Sequence, residues 1–198
     1  QNARLRPGQS VLVLGSGRLA NEDLASLKEL AQLSGGKTAL YTTQAGGDLV
    51  ARVGLGKGTN LGELGAGSAI LVVASDLEEE APIWWLRVKQ ATERGANLIV
   101  VNPRATKLDR YGRYVLRYAY GNETATVLAL GNALSAKRPE LPIKVEQTQD
   151  LKAAAEAFAK AENGIVIYGS EGLGLEGSQA LAQACANLLI STNHVGKA

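Results

Sequence analysis

Two side-chain types that could ligate a metal or act as nucleophile and base occur once each, Cys185 and His194. One thiol excludes a disulfide within the chain. One thiol and one imidazole cannot make a tetrahedral Cys/His site, and an iron–sulfur cluster needs about four thiolates. Cys185 lies among Ala184, Ala186 and Leu188 and is expected to be an inert buried thiol. His194 has no nucleophile or ligand partner near it in the sequence. A carboxylate-held magnesium ion is possible chemistry, but no acidic pattern signals one. The run Glu78-Glu79-Glu80 stands just before Pro82, and the positive end of a helix plus solvation accounts for it.

Glycine-rich turns are the next candidates, because backbone N–H groups between a strand and a helix can hold phosphate. Gly15-Ser16-Gly17-Arg18-Leu19-Ala20 fits G-x-G-x-x-G/A in that position. A dinucleotide site also needs an acidic residue ending the second strand. Tyr41-Thr42-Thr43-Gln44 offers none, so a tight strand-to-helix turn is the expectation. Gly172-Leu173-Gly174-Leu175-Glu176-Gly177 matches G-x-G-x-x-G too, but Glu171 and Glu176 would repel a pyrophosphate. Gly35-Gly36-Lys37-Thr38 is no P-loop, since the required first glycine falls on Ala31 and a strand follows instead of a helix. Arg104, Lys107, Arg110, Arg113 and Arg117 make a basic stretch suited to a solvated face, an anionic ligand or an acidic neighbouring subunit.

Short β-branched runs alternate with helical periodicity, which predicts an α/β domain with a mostly parallel sheet and helices on both faces. Strands are expected at 10–14, 38–43, 69–73, 97–101, 114–118 and 165–168. Helices are expected from Asn21 as N-cap to Leu33, and over 82–94, 123–134, 150–162 and 178–190. Leu24, Leu27, Leu30, Ala31 and Leu33 supply the first helix's apolar face. Gly46 to Gly67 holds eight glycines in 22 residues and reads as a long ordered loop with a helical turn or two. Residues 135–149, with Pro139 and Pro142, read as a surface connection. Trp84 and Trp85 point about 100° apart on a helix, so one is expected in the core and the other as a partner anchor.

With 45% hydrophobic and 20% charged residues and a net charge of +2, bulk composition fits a soluble globular chain. It gives no electrostatic reason for a nucleic-acid or membrane-surface partner. No apolar run approaches the roughly 20 residues that span a bilayer, and Gln1 to Gln9 carry no signal-peptide segment. The chain contains no methionine and closes on the polar stretch Ser191–Ala198. The expectation is one α/β domain, residues 1–198, cut from a larger subunit.

From Ala69 to Leu134 the chain runs strand, Ala74-Ser75-Asp76, Pro82, helix, Gly95-Ala96, strand, Asn102-Pro103-Arg104-Ala105-Thr106, Gly121-Asn122 and helix, an order that resembles the molybdopterin oxidoreductase family. Ala74-Ser75-Asp76 falls on the family's G-x-N, Pro82 on its proline and Gly95-Ala96 on its Gly-Ala. Asn102-Pro103-Arg104-Ala105-Thr106 falls on D-P-R-x-T, and Gly121-Asn122 on its small-residue turn. Asn187 to Lys197 resembles N-L-x-x-L-T-G-N-I-G-[RK], and Gly15–Glu22 resembles the domain's start. The resemblance implies a doubly wound sheet of formate dehydrogenase/DMSO reductase type. Half of a bis-guanine-dinucleotide pterin cofactor would lie across its strand ends, and Gly15, Ser16, Asp76, Asn102, Arg104 and Thr106 would line that cleft.

Three departures alter the chemistry. Asn102 replaces a carboxylate that would accept from guanine N–H groups, so its NH₂ would face donors. Asp76 sets a negative charge where a diphosphate should approach, and Ala74 replaces a glycine. With the compact connection after Ser135, they make the chain similar to the branch of the family in the large iron–sulfur subunit of NADH–quinone oxidoreductase. There the domain is a non-catalytic scaffold on the cytoplasmic side of a prokaryotic plasma membrane. It holds no cofactor itself, with iron–sulfur clusters upstream in the parent chain. Its partners are the other peripheral-arm subunits and the rest of its own chain, without nucleic acid or membrane insertion. The alternative is a piece of a formate-dehydrogenase-like enzyme that contributes to a molybdopterin guanine dinucleotide site.

Overall fold

The computed structural model describes residues 10–42, 44–54, 61–135, 145–169, 171 and 173–195. Two compact units are present, Gln1–Thr43 and Gln44–Ala198. The expected strands and helices fall in them as α/β layers with parallel sheets.

The first unit is one strand–helix–strand turn: β1 (Leu12–Ser16), α1 (Asn21–Leu33) and β2 (Lys37–Tyr41). The strands pair in parallel from Leu12↔Lys37 to Ser16↔Tyr41. That pairing draws Gly15 and Ser16 into β1, which starts and ends two residues later than periodicity suggests. The N-cap of α1 is Ala20, with extended backbone and no side-chain cap, and Asn21 is already helical. Glu22 and Asp23 occupy the first turn as expected. The apolar face is narrower than its leucines imply. Ala31 is buried and Leu24 and Leu27 are half-buried, whereas Leu30 and Leu33 are 54% and 81% exposed. A sheet two strands wide covers a single stripe of the helix, and positions 100° away from it stay in the open.

In the second unit, a helical turn α2 (Gly47–Leu49) winds on through Val50–Gly54, and a tighter turn covers Leu61–Glu63. The rest of the expected glycine-rich loop around residues 55–60 lies outside the described residues. There follow β3 (Ser68–Val73), α3 (Leu77–Glu80), α4 (Pro82–Glu93), β4 (Asn97–Val101), β5 (Tyr114–Leu116), α5 (Glu123–Leu134), α6 (Gln149–Ala159), β6 (Asn163–Tyr168) and α7 (Leu175–Ser191). The sheet runs β5-β4-β3-β6, all parallel.

β3 and β4 are buried on both faces, which explains their unbroken apolar runs. Alternate residues serve different layers. Leu71, Val73, Ile99 and Val101 pack under α5, α6 and α7 with Val127, Leu130, Leu151, Phe158, Leu181 and Leu188. Ile70, Val72, Leu98 and Val100 pack on the opposite side with Leu77, Val88, Ala91 and Leu108. Pro82 opens α4 and Gly95, at φ +96°, closes it, donating to Thr92 O while Ala96 N–H reaches Ala91 O. α6 begins a residue early because Thr148 caps it, accepting from Leu151 N–H at 3.1 Å. The connection expected at 135–149 is described only at its ends.

Trp85 packs against the second core and meets Tyr111 edge-on at 6.3 Å, while Trp84 is 49% exposed beside exposed Ile83 and Leu86. Among the described residues, no helix is long and apolar enough to cross a membrane.

Candidate functional site

The chain leaves the sheet at three neighbouring strand ends, after β4, β3 and β6. β3 continues through β4 to β5 on one side, whereas β6 joins on the other. The topological switch point therefore lies between β3 and β6, where open parallel sheets offer a ligand crevice.

That crevice is filled by backbone. Ala74 follows β3 at φ +49°, a left-handed conformation that a non-glycine residue takes at a cost of about 1–2 kcal/mol. Its N–H donates to Val101 O at 3.0 Å, and its carbonyl accepts from Glu171 N–H at 3.0 Å. Gly169 lies directly on it. A Cβ at Gly169 would stand 2.3 Å from Ala74 O and 2.8 Å from Ser75 Cβ. The two loops touch with no room for even a methyl group.

Around this contact the side chains bond to one another. Asn102 is fully buried. Its NH₂ donates to Ser75 O at 3.2 Å and to Glu171 Oε2 at 3.3 Å, and its Oδ1 accepts from Arg104 N–H at 3.1 Å. Arg104 closes the ring: its Nε bonds Glu171 Oε1, and its Nη2 pairs with Asp76 Oδ2 at 3.0 Å. The Glu171 carboxylate beside it raises the pKa of the guanidinium further. Tyr120 hydroxyl also points at Glu171, at 3.5 Å.

Glu80 turns back from the end of α3 to accept from Ser75 hydroxyl at 3.0 Å and from Asp76 N–H at 3.3 Å. Burial raises its carboxyl above the ordinary range against those bonds, which pull it down, and Glu171 and Asp76 add to the rise. The acidic run is thus not simply solvated. Glu78 pairs with Lys107 at 2.6 Å, and Glu80 supports the loop after β3.

Of the six residues singled out in the sequence, Asp76, Asn102 and Arg104 meet here. Thr106 does not. Its hydroxyl and N–H bond Asp109 at 3.1 and 3.2 Å, shaping the next turn. Gly15 and Ser16 belong to the first unit. There Ser16 Oγ accepts Arg18 N–H at 3.2 Å, which turns one of the loop's N–H groups inward. Glu171 was legible as a charge that repels phosphate, but not as the partner of Arg104 and Asn102. The sequence does not say that the ends of β4 and β6 flank the same strand.

The basic stretch is largely answered within the chain. Lys107 meets Glu78, Arg117 meets Asp109 and Asn102 O, Arg113 bonds Asn97 Oδ1, and Arg110 lies over the Tyr111 ring. Nearby, Glu123 is fully buried. One of its oxygens accepts Gly121 N–H at 3.0 Å, and the other has no partner among the described residues. The buried Tyr118 hydroxyl has none either, and burial first, then Glu123 and Glu171, pushes its pKa far up.

Cys185 and His194 are structural. Burial pushes the Cys185 thiol up to about 12. His194 Nδ1 accepts Gly164 N–H at 3.2 Å, and its Nε2 lies 3.0 Å from Phe158 O, so Nε2 carries the proton. The ring also stands edge-on to Phe158 at 5.2 Å. Among the described residues, no three His, Cys, Asp or Glu side chains gather as a metal site.

A family model described as molybdopterin oxidoreductase matches residues 1–198. The chain belongs to the molybdopterin oxidoreductase family. Over 80 residues it is 36% identical to the NADPH-Fe(3+) oxidoreductase subunit alpha of Geobacter sulfurreducens, in strains DL-1/KN400 and PCA. That match covers 40% of this chain and 10% of the relative's length. Acetylene hydratase from Pelobacter acetylenicus superimposes with a TM-score of 0.68 at 16% identity, over 92% of this chain and 29% of that one. At that identity the likeness shows the fold: a parallel α/β domain of this family.

The family implies a guanine-dinucleotide pterin at the strand ends, and the residues present do not fit it. A diphosphate would meet the carboxylates of Asp76, Glu80 and Glu171, and the guanidinium that could answer it already binds two of them. The Asn102 amide has both functions engaged. Of the buried groups left without a partner beside the crest, the Glu123 carboxylate oxygen accepts only and would repel an anion.

Proposed function

We propose that this chain is a non-catalytic scaffold module of a large electron-transfer oxidoreductase subunit, as in the peripheral arm of NADH–quinone oxidoreductase. The observation that carries this reading is the closed crest. Gly169 seals the switch-point crevice, and Arg104 is engaged by Asp76 and Glu171. The module would hold no cofactor and would contribute packing surface, with clusters carried by other parts of its subunit. Its partner-facing side would be the outer surface of α4, where Ile83, Trp84 and Leu86 are exposed.

A second reading, part of a molybdopterin-dependent enzyme, is favoured by the family match along the whole chain and by a relative named as a different oxidoreductase. In it Ser16, Asp76, Asn102, Arg104 and Thr106 would contact the cofactor, and Arg104 would have to leave Asp76 and Glu171.

Composition of the intact parent subunit separates the two. Acid hydrolysis followed by chromatography for guanosine monophosphate, with elemental analysis for molybdenum and tungsten, should find neither in stoichiometric amount. Stoichiometric guanine nucleotide together with either metal would sink the scaffold reading in favour of the second.

A further inference from the structure

An ion-pair cluster joining three strand ends of the second unit sits where open parallel sheets place a ligand crevice. Asp76 comes from the loop after β3, Arg104 from the loop after β4 and Glu171 from the loop after β6, and all three meet on one guanidinium. Both carboxylates are well shielded, with side chains 12% and 16% exposed, whereas the Arg104 side chain is 46% exposed. The carboxylates are also held in place from behind. Glu80 fixes the backbone of Asp76, and Asn102 and Tyr120 hold the two oxygens of Glu171. Preorganised acceptors around one half-exposed cation describe a receptor for a guanidinium, occupied by the chain's own side chain.

We infer that Arg104 is the built-in ligand of this crest, and that the Asp76–Arg104–Glu171 clasp has replaced a bound anion in tying the ends of β3, β4 and β6 together. This deepens the scaffold reading and rests on it only for its biological sense. Two carboxylates against one guanidinium leave the clasp one negative charge. Neutralising both would leave one positive charge, with the guanidinium free to face outward. The crest is then an anion site held shut by two residues, and the charge of the clasp can be reversed while Glu80 stays in place behind Asp76.

The test uses the full chain and two probes, inorganic pyrophosphate and guanosine diphosphate, titrated by calorimetry. The unaltered chain should bind neither at millimolar concentration. The double variant Asp76→Asn/Glu171→Gln keeps a carbonyl acceptor at each position. It should gain pyrophosphate affinity by about tenfold or more, the worth of one charge-assisted hydrogen bond. Adding Arg104→Ala should abolish the gain.

Micromolar binding of either probe by the unaltered chain overturns the inference, as does a folded double variant that gains nothing. Should the double variant not fold, a denaturation cycle of Arg104→Ala and Glu171→Gln decides. Coupling of about threefold or more in the unfolding constant is expected, and strict additivity overturns the clasp. Neither result depends on the pterin content of the parent, so the clasp and the scaffold reading can fail separately.

Discussion

Restoring the family's aspartate by Asn102→Asp should damage this chain instead of reviving a cofactor site. Asn102 is fully buried and donates from its NH₂ to Ser75 O and Glu171 Oε2. A carboxylate has no proton for either. Ser75 O loses its partner, at about 1–3 kcal/mol for a buried acceptor left unsatisfied. The Glu171 contact turns from a charge-assisted bond into an approach of two like charges. Losing that hydrogen bond to a charged group costs about 1.5–3 kcal/mol, although Glu171 keeps Arg104. About 3–5 kcal/mol is therefore the expected total, since the introduced carboxyl can limit the loss by taking up a proton.

That escape gives the pH signature. Protonated, the new group can donate to one of the two acceptors, so its folded-state pKa is raised above the unfolded value. The stability associated with that proton is present in full below the unfolded pKa and disappears as pH rises through the folded one. The deficit relative to the unaltered chain should be small near pH 4 and grow towards pH 8. Urea unfolding followed by tryptophan fluorescence suits the measurement, because Trp84 and Trp85 both lie in the second unit. Adding Glu171→Gln should recover part of the loss by supplying an amide donor. An Asn102→Asp chain as stable as the original at pH 8, or one whose deficit does not grow with pH, would refute the hydrogen-bond assignment at this crest.

Gly169→Ala should destabilise by about 1–3 kcal/mol, because it meets Ala74 O and the Cα and Cβ of Ser75, none of which can swing away. Gly131→Ala, in the middle of α5 with its nearest neighbour at 4.0 Å, should stabilise by about 0.5–1 kcal/mol in the same denaturation assay. His194→Ala removes the link from the end of α7 to Gly164 and Phe158 and should cost about 2–3 kcal/mol, read as a lower denaturant midpoint. Cys185 should resist a thiol reagent at pH 8 while the chain is folded and react at once in urea, since burial keeps the thiol protonated until far above that pH. Rapid labelling of the folded chain would contradict its placement.

The layering was legible because periodicity responds to burial on two faces. β4 at Asn97–Val101 and α5 at Glu123–Leu134 lie where their patterns put them, and Pro82 and Gly95 bracket α4 as their backbone preferences require. Boundaries moved where a pairing or a cap intervened, as at β1, drawn forward by β2, and at α6, started by Thr148. Leu30 and Leu33 misled, because periodicity records which residues could be buried and not how wide a surface is there to cover them.

The site divides along the same line. Residue identity alone determined that one thiol and one imidazole cannot hold a cluster, and it put a carboxylate at Asp76 and an amide at Asn102. Only the tertiary structure decided what those groups do. Asn102 and Glu171 are separated by 69 positions, and they meet because β4 and β6 flank β3 in one parallel sheet. Strand order follows from the packing of all the helices at once, and no local run of residues encodes it. Chain chemistry supplied the polar and charged groups of the crest, and the order of the strands set which of them meet.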